Sequence, residues 1–469
     1  MVTRKNHLLL VSALLLALTG CGSAANNQSG SAGENGDSGN SSAPAASPSA
    51  SPSASPVAST ADASAQDPVE ITFYYPVNVG GPLTKVVDGM AESFMKEHPE
   101  IKVNAVYTGN YGDNTVKIQA GVMSKQPPDV AVMMSTELYS MLDLGAIIPL
   151  DDYMAKDAAA FNKDDFYPAF VEDTQADGHT YSIPFQRSTI ILYYNKDMFK
   201  EAGLDPEKPP ANWNELVEYA RKLNRDGHVG LEIPGNDDSY WMFQMLARQH
   251  ASDPKMNIMG DDGKKAVFNT PENVEALQFW IDLSKKEKVM PEGIIDWAAT
   301  PTDFIEGKTA MMMHTSGNLT NVKNNAKFDF GVAFSPADKQ YGSPTGGGNL
   351  YIFKDTSAEK QAAAWEFVKY MTAPEQAALF SSSSGYIGVR KSAYDTDVMK
   401  AYTASFPQAL VARDQLPYAF RELSTHNHGK VSSALTNQIQ AALSGKTDAA
   451  SALKTAQEEA DKQLAAFNK

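Results

Sequence analysis

Cysteine is nearly absent: Cys21 is the single thiol in 469 residues. An internal disulfide framework and an all-cysteine metal cluster are therefore excluded. Positive charge is scarce too, with 40 Lys and Arg against 56 Asp and Glu and a formal net charge of −16. Such a balance excludes nucleic acid as a partner, although a local basic pocket could still hold an anion. After the first twenty residues no apolar run reaches transmembrane length. The motifs of catalysis are missing as well. Neither a Gly-x-Ser-x-Gly elbow nor a His-Glu-x-x-His pair occurs, and His314, His426 and His428 give no metal or triad spacing. Gly307-Lys308-Thr309 and Gly445-Lys446-Thr447 end as a phosphate-binding loop ends. The glycine needed five positions earlier is Thr302 in one case and Gln440 in the other. No cofactor is expected, and a secreted hydrolase is only a remote alternative.

What is present begins with MVTRKNHLLLVSALLLALTG, residues 1–20. Arg4 and Lys5 precede an apolar run from Leu8 to Leu18, and small residues follow, which is the pattern of a secretory signal peptide. Leu18-Thr19-Gly20-Cys21 resembles the bacterial lipobox, whose cysteine sulfur takes a diacylglycerol before the leader is cut away. Two or more acyl chains anchor a protein stably, so the resemblance implies that Cys21 is a lipidation site on the extracytoplasmic face of a membrane. Loss of the leader leaves 38 Lys and Arg against 56 Asp and Glu, a net of −18. Residues 21–68 are almost wholly Ser, Ala, Gly, Pro, Asn and Asp. They cannot bury enough apolar surface to offset the entropy of ordering and read as a tether.

About 400 residues remain, enough for two lobes. Strand-like VEITFYYP (69–76) precedes helix-like LTKVVDGMAESFMKEHP (83–99), and a second strand, a helix and a third strand follow, the last being PDVAVMM. This alternation predicts a parallel sheet covered by helices. Amphipathic helices are expected at 213–224, 273–287 and 358–372, with short strands at 328–336 and 350–354. Trp280 and Trp365 sit on helical periodicity and read as core. Trp213 opens a helix after Pro209-Pro210 and reads as structural, whereas Trp297 has no assignment from pattern.

Three stretches in order resemble the extracellular solute-binding proteins of ABC importers: ILYYNKDMFKEAGLDPEKPPANWNELVEYARKL (191–223), FIEGKTAMMMHTSGN (304–318) and AWEFVKYMTAPEQAALFSSSSGYIGVRKSA (364–393). The resemblance implies an α/β, two-lobed periplasmic-binding-protein-like fold of type II. Its cleft would lie between lobes 69–182 with 318–371 and 187–313 with 376–469. Three hinge crossings are expected, near 182–187, 313–318 and 371–376. A monomer is implied that captures a small solute and hands it to ABC permease subunits, touching the membrane through its lipid alone. Among these families the sn-glycerol-3-phosphate binders are most similar. They imply ligand contacts from Tyr111 in GNYGDN, Ser188 in PFQRST, Thr315 and Ser316 in MHTSGN, Gly346 and Gly347 in TGGGNLY, and Tyr386 in SGYIGVR. Departures bear on the ligand. An acidic contact falls at Ser135, with Glu137 two positions on. A serine becomes Arg187, tandem tryptophans become Tyr240-Trp241, and a C-terminal arginine is matched only by the offset Arg421. The resemblance therefore implies glycerol 3-phosphate or a glycerophosphodiester, with an oligosaccharide stacked on Trp241 as the alternative.

Overall fold

The structure, a computed structural model, describes residues 67–158, 161–225, 227–236 and 238–468. The leader, Cys21 and nearly all of the 21–68 tether lie outside the described residues. Strand β1 (Val69–Tyr75) buries Ile71, Phe73 and Tyr75 on one face. It pairs in parallel with β2 (Ile101–Tyr107), from Val69 opposite Ile101 to Tyr75 opposite Tyr107. The crossover helix Leu83–Glu97 buries Leu83, Val87, Met90, Ala91 and Phe94, the three- and four-residue spacing of one helical face. β3 (Val130–Met134) joins the other side of β1. This is the β-α-β-α-β order read from the sequence.

After the small hairpin β4 (Gln175–Ala176) and β5 (His179–Thr180) comes β6 (Ser182–Asn195), all fourteen of whose residues are buried. Its first half pairs antiparallel with β9 (Ser343–Ile352), and its second half pairs with β7 (Met311–Thr315) and β8 (Phe330–Phe334). The short β10 (Ala419–Phe420) lies on β9, and the main strand order is β2-β1-β3-β9-β6-β7. Alternation along β6 serves two cores. Ile191 and Tyr193 join the cluster around Phe73, Phe94 and Trp365, while Ile190, Leu192 and Tyr194 join the cluster around Phe243, Phe268 and Trp280. β6 and β9 therefore connect two hydrophobic bodies.

The sequence expectations need two corrections here. Residues 376–416, expected in the second lobe, pack with the first core. Helix Pro374–Ser384 buries Ala377, Ala378 and Phe380 there, with the Phe380 ring 4.9 Å from that of Phe185. The tail helices His428–Leu443 and Ala449–Leu464 do pack with the second core. The strand expected at 350–354 is also longer than its apolar residues suggested. It starts at Ser343 and includes three consecutive glycines, because pairing with β6 on one side and β3 on the other supplies the order that glycine lacks.

Candidate functional site

Glycines on β9 form the floor of a cleft. Gly346 lies opposite Ser188 and Gly347 opposite Arg187. A Cβ at Gly346 would sit 2.6 Å from Cζ2 of Trp241, so the bare backbone is what lets that indole lie on the strand. The indole N–H donates to the Thr345 carbonyl at 3.2 Å. Gly347 adopts φ +92°, and a Cβ there would lie 1.8 Å from the Gln186 carbonyl oxygen. Both glycines are thus needed by the chain itself as well as by any ligand.

Around this floor a compartment of about 360 Å³ is lined by Asn78, Val79, Tyr111, Met134, Ser188, Asp238, Trp241, Trp297, Thr315, Gly346, Gly347, Tyr386 and Glu422. A neighbouring compartment of about 1090 Å³ shares Asn78, Tyr111, Met134, Asp238 and Trp297 and adds Glu137, Tyr240 and His428. Tyr111 opens the helix Tyr111–Met123, whose start is fixed by a capping box between Asn110 and Asp113. Its hydroxyl donates to Gln186 Oε1 at 2.9 Å. The Tyr386 ring lies against Gly317, where a Cβ would approach to 3.0 Å. Burial raises the Tyr386 hydroxyl to about 12 and the Tyr111 hydroxyl well above its usual value, so both stay protonated as hydrogen-bond donors.

Trp297, which no pattern assigned, lines both compartments. His314 holds it in place: Nε2 donates to the Trp297 carbonyl at 3.1 Å, and Nδ1 accepts from the Asn318 amide at 3.0 Å. Burial lowers the pKa of His314 to about 3, so the imidazole is neutral and serves as a support for the wall. Trp241 and Trp297 meet at a ring distance of 6.0 Å and an angle of 53°, which makes an aromatic corner.

The expected contacts divide. Tyr111, Ser188, Trp241, Thr315, Gly346, Gly347 and Tyr386 come together in the first compartment. Glu137 and Tyr240 line the second, and burial raises the Glu137 carboxyl to about 7. Ser316 lines neither compartment; its hydroxyl is buried without a hydrogen-bond partner among the described residues. Arg421 also lines neither. Its Nε donates to Asp173 Oδ1 at 3.3 Å and another guanidinium N–H to the Asp261 carbonyl at 2.9 Å. Arg187, fully buried, donates to the other Asp173 oxygen at 3.2 Å, to Thr345 and to Asn349. Both arginines are therefore engaged with Asp173. Among the described residues no lysine or arginine lines either compartment, whereas Asp113, Glu137, Asp238 and Glu422 do.

Glu422 was missed by one position. Just after β10 the two neighbouring side chains take different partners. Arg421 turns to Asp173, while Glu422 turns to Tyr240, whose hydroxyl donates to Oε1 at 2.8 Å. A charged residue next to a short strand is a signal, but not of which neighbour faces the cleft.

A family model described as "bacterial extracellular solute-binding protein" matches residues 89–408. The chain belongs to the bacterial extracellular solute-binding proteins. As a member of that family it is a transport receptor that acts outside the cytoplasm, not an enzyme. The solute-binding protein is 29% identical to the sn-glycerol-3-phosphate-binding periplasmic protein UgpB of Escherichia coli K12, over 87% of this chain and 95% of that one. Its fold matches UgpB from Mycobacterium tuberculosis in complex with glycerophosphocholine, with TM-score 0.76, 23% identity, and 86% and 100% of the two chains covered. It also matches a substrate-binding protein from Listeria monocytogenes in complex with cycloalternan, with TM-score 0.74, 23% identity, and 85% and 100% covered. The two-lobed α/β expectation agrees with these folds. Among the described residues no helix is long and apolar enough to cross a membrane.

Proposed function

We propose that this receptor of an ABC importer captures a neutral, hydroxyl-rich solute, an oligosaccharide or an alditol, and delivers it to its permease. The observation that carries this reading is the lining of the cleft: carboxyl groups, two of which (Glu137 and Glu422) burial pushes towards the neutral form, and aromatic faces, without a lysine or arginine among the described lining residues. A phosphate monoester dianion would find no lysine or arginine among the described lining residues to offset its charge, and the cost of burying it would go uncompensated. Hydroxyl groups, in contrast, donate to carboxylates and accept from tyrosines, and the apolar face of a sugar ring stacks on indole. The phosphate contacts implied by the glycerol-3-phosphate binders are then reused as hydroxyl contacts at Tyr111, Ser188, Thr315 and Tyr386. A glycerophosphodiester is the second reading. The aromatic corner of Trp241 and Trp297 beside carboxylates could hold its cationic headgroup. Lipid anchoring through Cys21 and a monomeric state complete the proposal.

Calorimetric titration of the full chain, stripped of carried solute by unfolding and refolding, tests the reading. Maltotriose, ribitol, sn-glycerol 3-phosphate and glycerophosphocholine would be compared. Saturable binding of maltotriose or ribitol, with no heat from glycerol 3-phosphate, is the expected result. Tight binding of glycerol 3-phosphate would reject it.

A further inference from the structure

Glu422 is buried, with 1% of its surface exposed, and yet it lines the compartment beside Trp241 and Trp297. One oxygen, Oε1, is taken by the Tyr240 hydroxyl at 2.8 Å. The other, Oε2, has no hydrogen-bond partner among the described residues and is closed off from solvent. A buried carboxyl oxygen without a donor is costly, and such groups persist where a ligand supplies what the fold withholds. The fold has opportunities to satisfy it and does not. The nearby cations Arg187 and Arg421 both go to Asp173. Tyr240 holds the carboxyl in one orientation, which leaves Oε2 as the group on offer.

We infer that Glu422 is a specificity-determining residue whose Oε2 exchanges a hydrogen bond with a hydroxyl of the bound solute, with Tyr240 as its positioning residue. This inference rests on the hydroxyl-rich reading of the cleft and deepens it. The solute presents a hydroxyl at the aromatic corner, so that a ring or polyol chain stacked on Trp241 or Trp297 directs it at Glu422. An analogue with that hydroxyl removed loses the contact.

The test is titration of the full-length wild type, Glu422→Gln and Glu422→Ala with the same four compounds, followed by tryptophan fluorescence. Thermal melting of each variant is measured alongside. Glu422→Gln keeps the volume and an acceptor for Tyr240 but turns an N–H donor towards the solute. Glu422→Ala is expected to weaken maltotriose or ribitol binding by roughly three- to tenfold, the worth of a hydrogen bond between neutral groups, and Glu422→Gln by less. Glu422→Gln should melt at or above the wild type, since it keeps the volume and the acceptor for Tyr240, whereas Glu422→Ala leaves a cavity and an orphaned Tyr240 hydroxyl and should melt lower. Unchanged affinity for maltotriose or ribitol in both variants overturns the role of Glu422 while leaving the hydroxyl-rich reading in place. Wild type that binds glycerol 3-phosphate alone overturns that reading. In that case Glu422→Ala is judged by the same titration, and tighter phosphate binding marks Glu422 as a repelling wall and not a hydrogen-bond partner. A wild type that binds none of the four overturns both.

Discussion

Glu137 shows how a single side chain ties the cleft to pH. Burial is the larger influence on its carboxyl and raises it from 4.5 to about 7, while a hydrogen bond from Ser140 pulls the other way. A carboxyl with a folded pKa above its unfolded value binds more protons when folded. Its neutral form is therefore compatible with the fold at low pH, and stability falls as pH rises from about 4.5 to 7. The shift corresponds to about 3 kcal/mol once the ionisation is complete. Glu137→Gln is accordingly expected to match the wild type near pH 4.5 and to exceed it by up to about 3 kcal/mol at pH 8. Chemical denaturation at the two pH values measures this, and parallel curves for the two proteins would refute it. Arg187 teaches the opposite lesson at the same scale. It stands where the glycerol-3-phosphate binders carry a serine that neighbours the phosphate-contacting one. Its guanidinium is instead paired with Asp173, a carboxylate it shares with Arg421, and enclosed by Thr345 and Asn349. A buried arginine paired in this way orders β6 against β9 and offers no charge to the solute.

At the scale of elements, the segment between β10 and the helix His428–Leu443 has two duties. Glu422 faces the compartment, and the residues just after it reach the other hydrophobic body. Ser424 Oγ donates to the Thr136 carbonyl at 3.0 Å, the His426 ring nitrogen meets Asp143 Oδ1 at 2.6 Å, and the Asn427 N–H donates to Asp143 Oδ2 at 3.2 Å. Tyr139, on the same helix Leu138–Asp143, donates to the Asp261 carbonyl at 3.2 Å. These bonds join the segment to the helix Leu138–Asp143 and to Asp261, none of them touches the first compartment, and we propose that they act as a latch on the cleft. Asp143→Asn should therefore weaken solute binding by a few-fold, through faster dissociation, with the lining unchanged. Stopped-flow release of maltotriose would measure it. A loss confined to the association rate, or no loss, would argue against a latch.

For the molecule as a whole, β6 and β9 carry the connection between the two cores, and the cleft lies where they meet. Closure around a solute shifts the balance between open and closed forms, which is how a permease can distinguish a loaded receptor from an empty one. The proposed lipid at Cys21 and the Ser/Ala/Pro-rich tether would hold the receptor near that permease at high effective concentration. Cys21→Ala is expected to move the chain from the membrane fraction to the soluble fraction of cells. Retention in the membrane fraction would reject the lipobox reading.

Much of this protein was legible without its tertiary structure. Local periodicity fixes local structure, so the strands at 69–75 and 101–107 and the helices Trp213–Leu223 and Ala358–Met371 appear where apolar spacing placed them. Alternation of strand and helix along the chain was enough for a helix-covered α/β sheet, and the two-lobed form was implied by the resemblance to solute-binding proteins. Seven of the expected contacts meet in one compartment for the same reason: loops at strand ends converge when the strands do. Only packing decided the rest. Residues 376–416 went to the first core because the apolar face of helix Pro374–Ser384 fits Phe185, a contact between distant segments. Trp297 entered the cleft because His314 fixes its backbone, and Glu422 entered in place of Arg421 because Asp173 holds the arginine while Tyr240 holds the glutamate. The sign of the charge in the cleft was decided in the same way. Whether an arginine faces a solute or an aspartate depends on which partner the fold brings within reach, and no local pattern contains that distance.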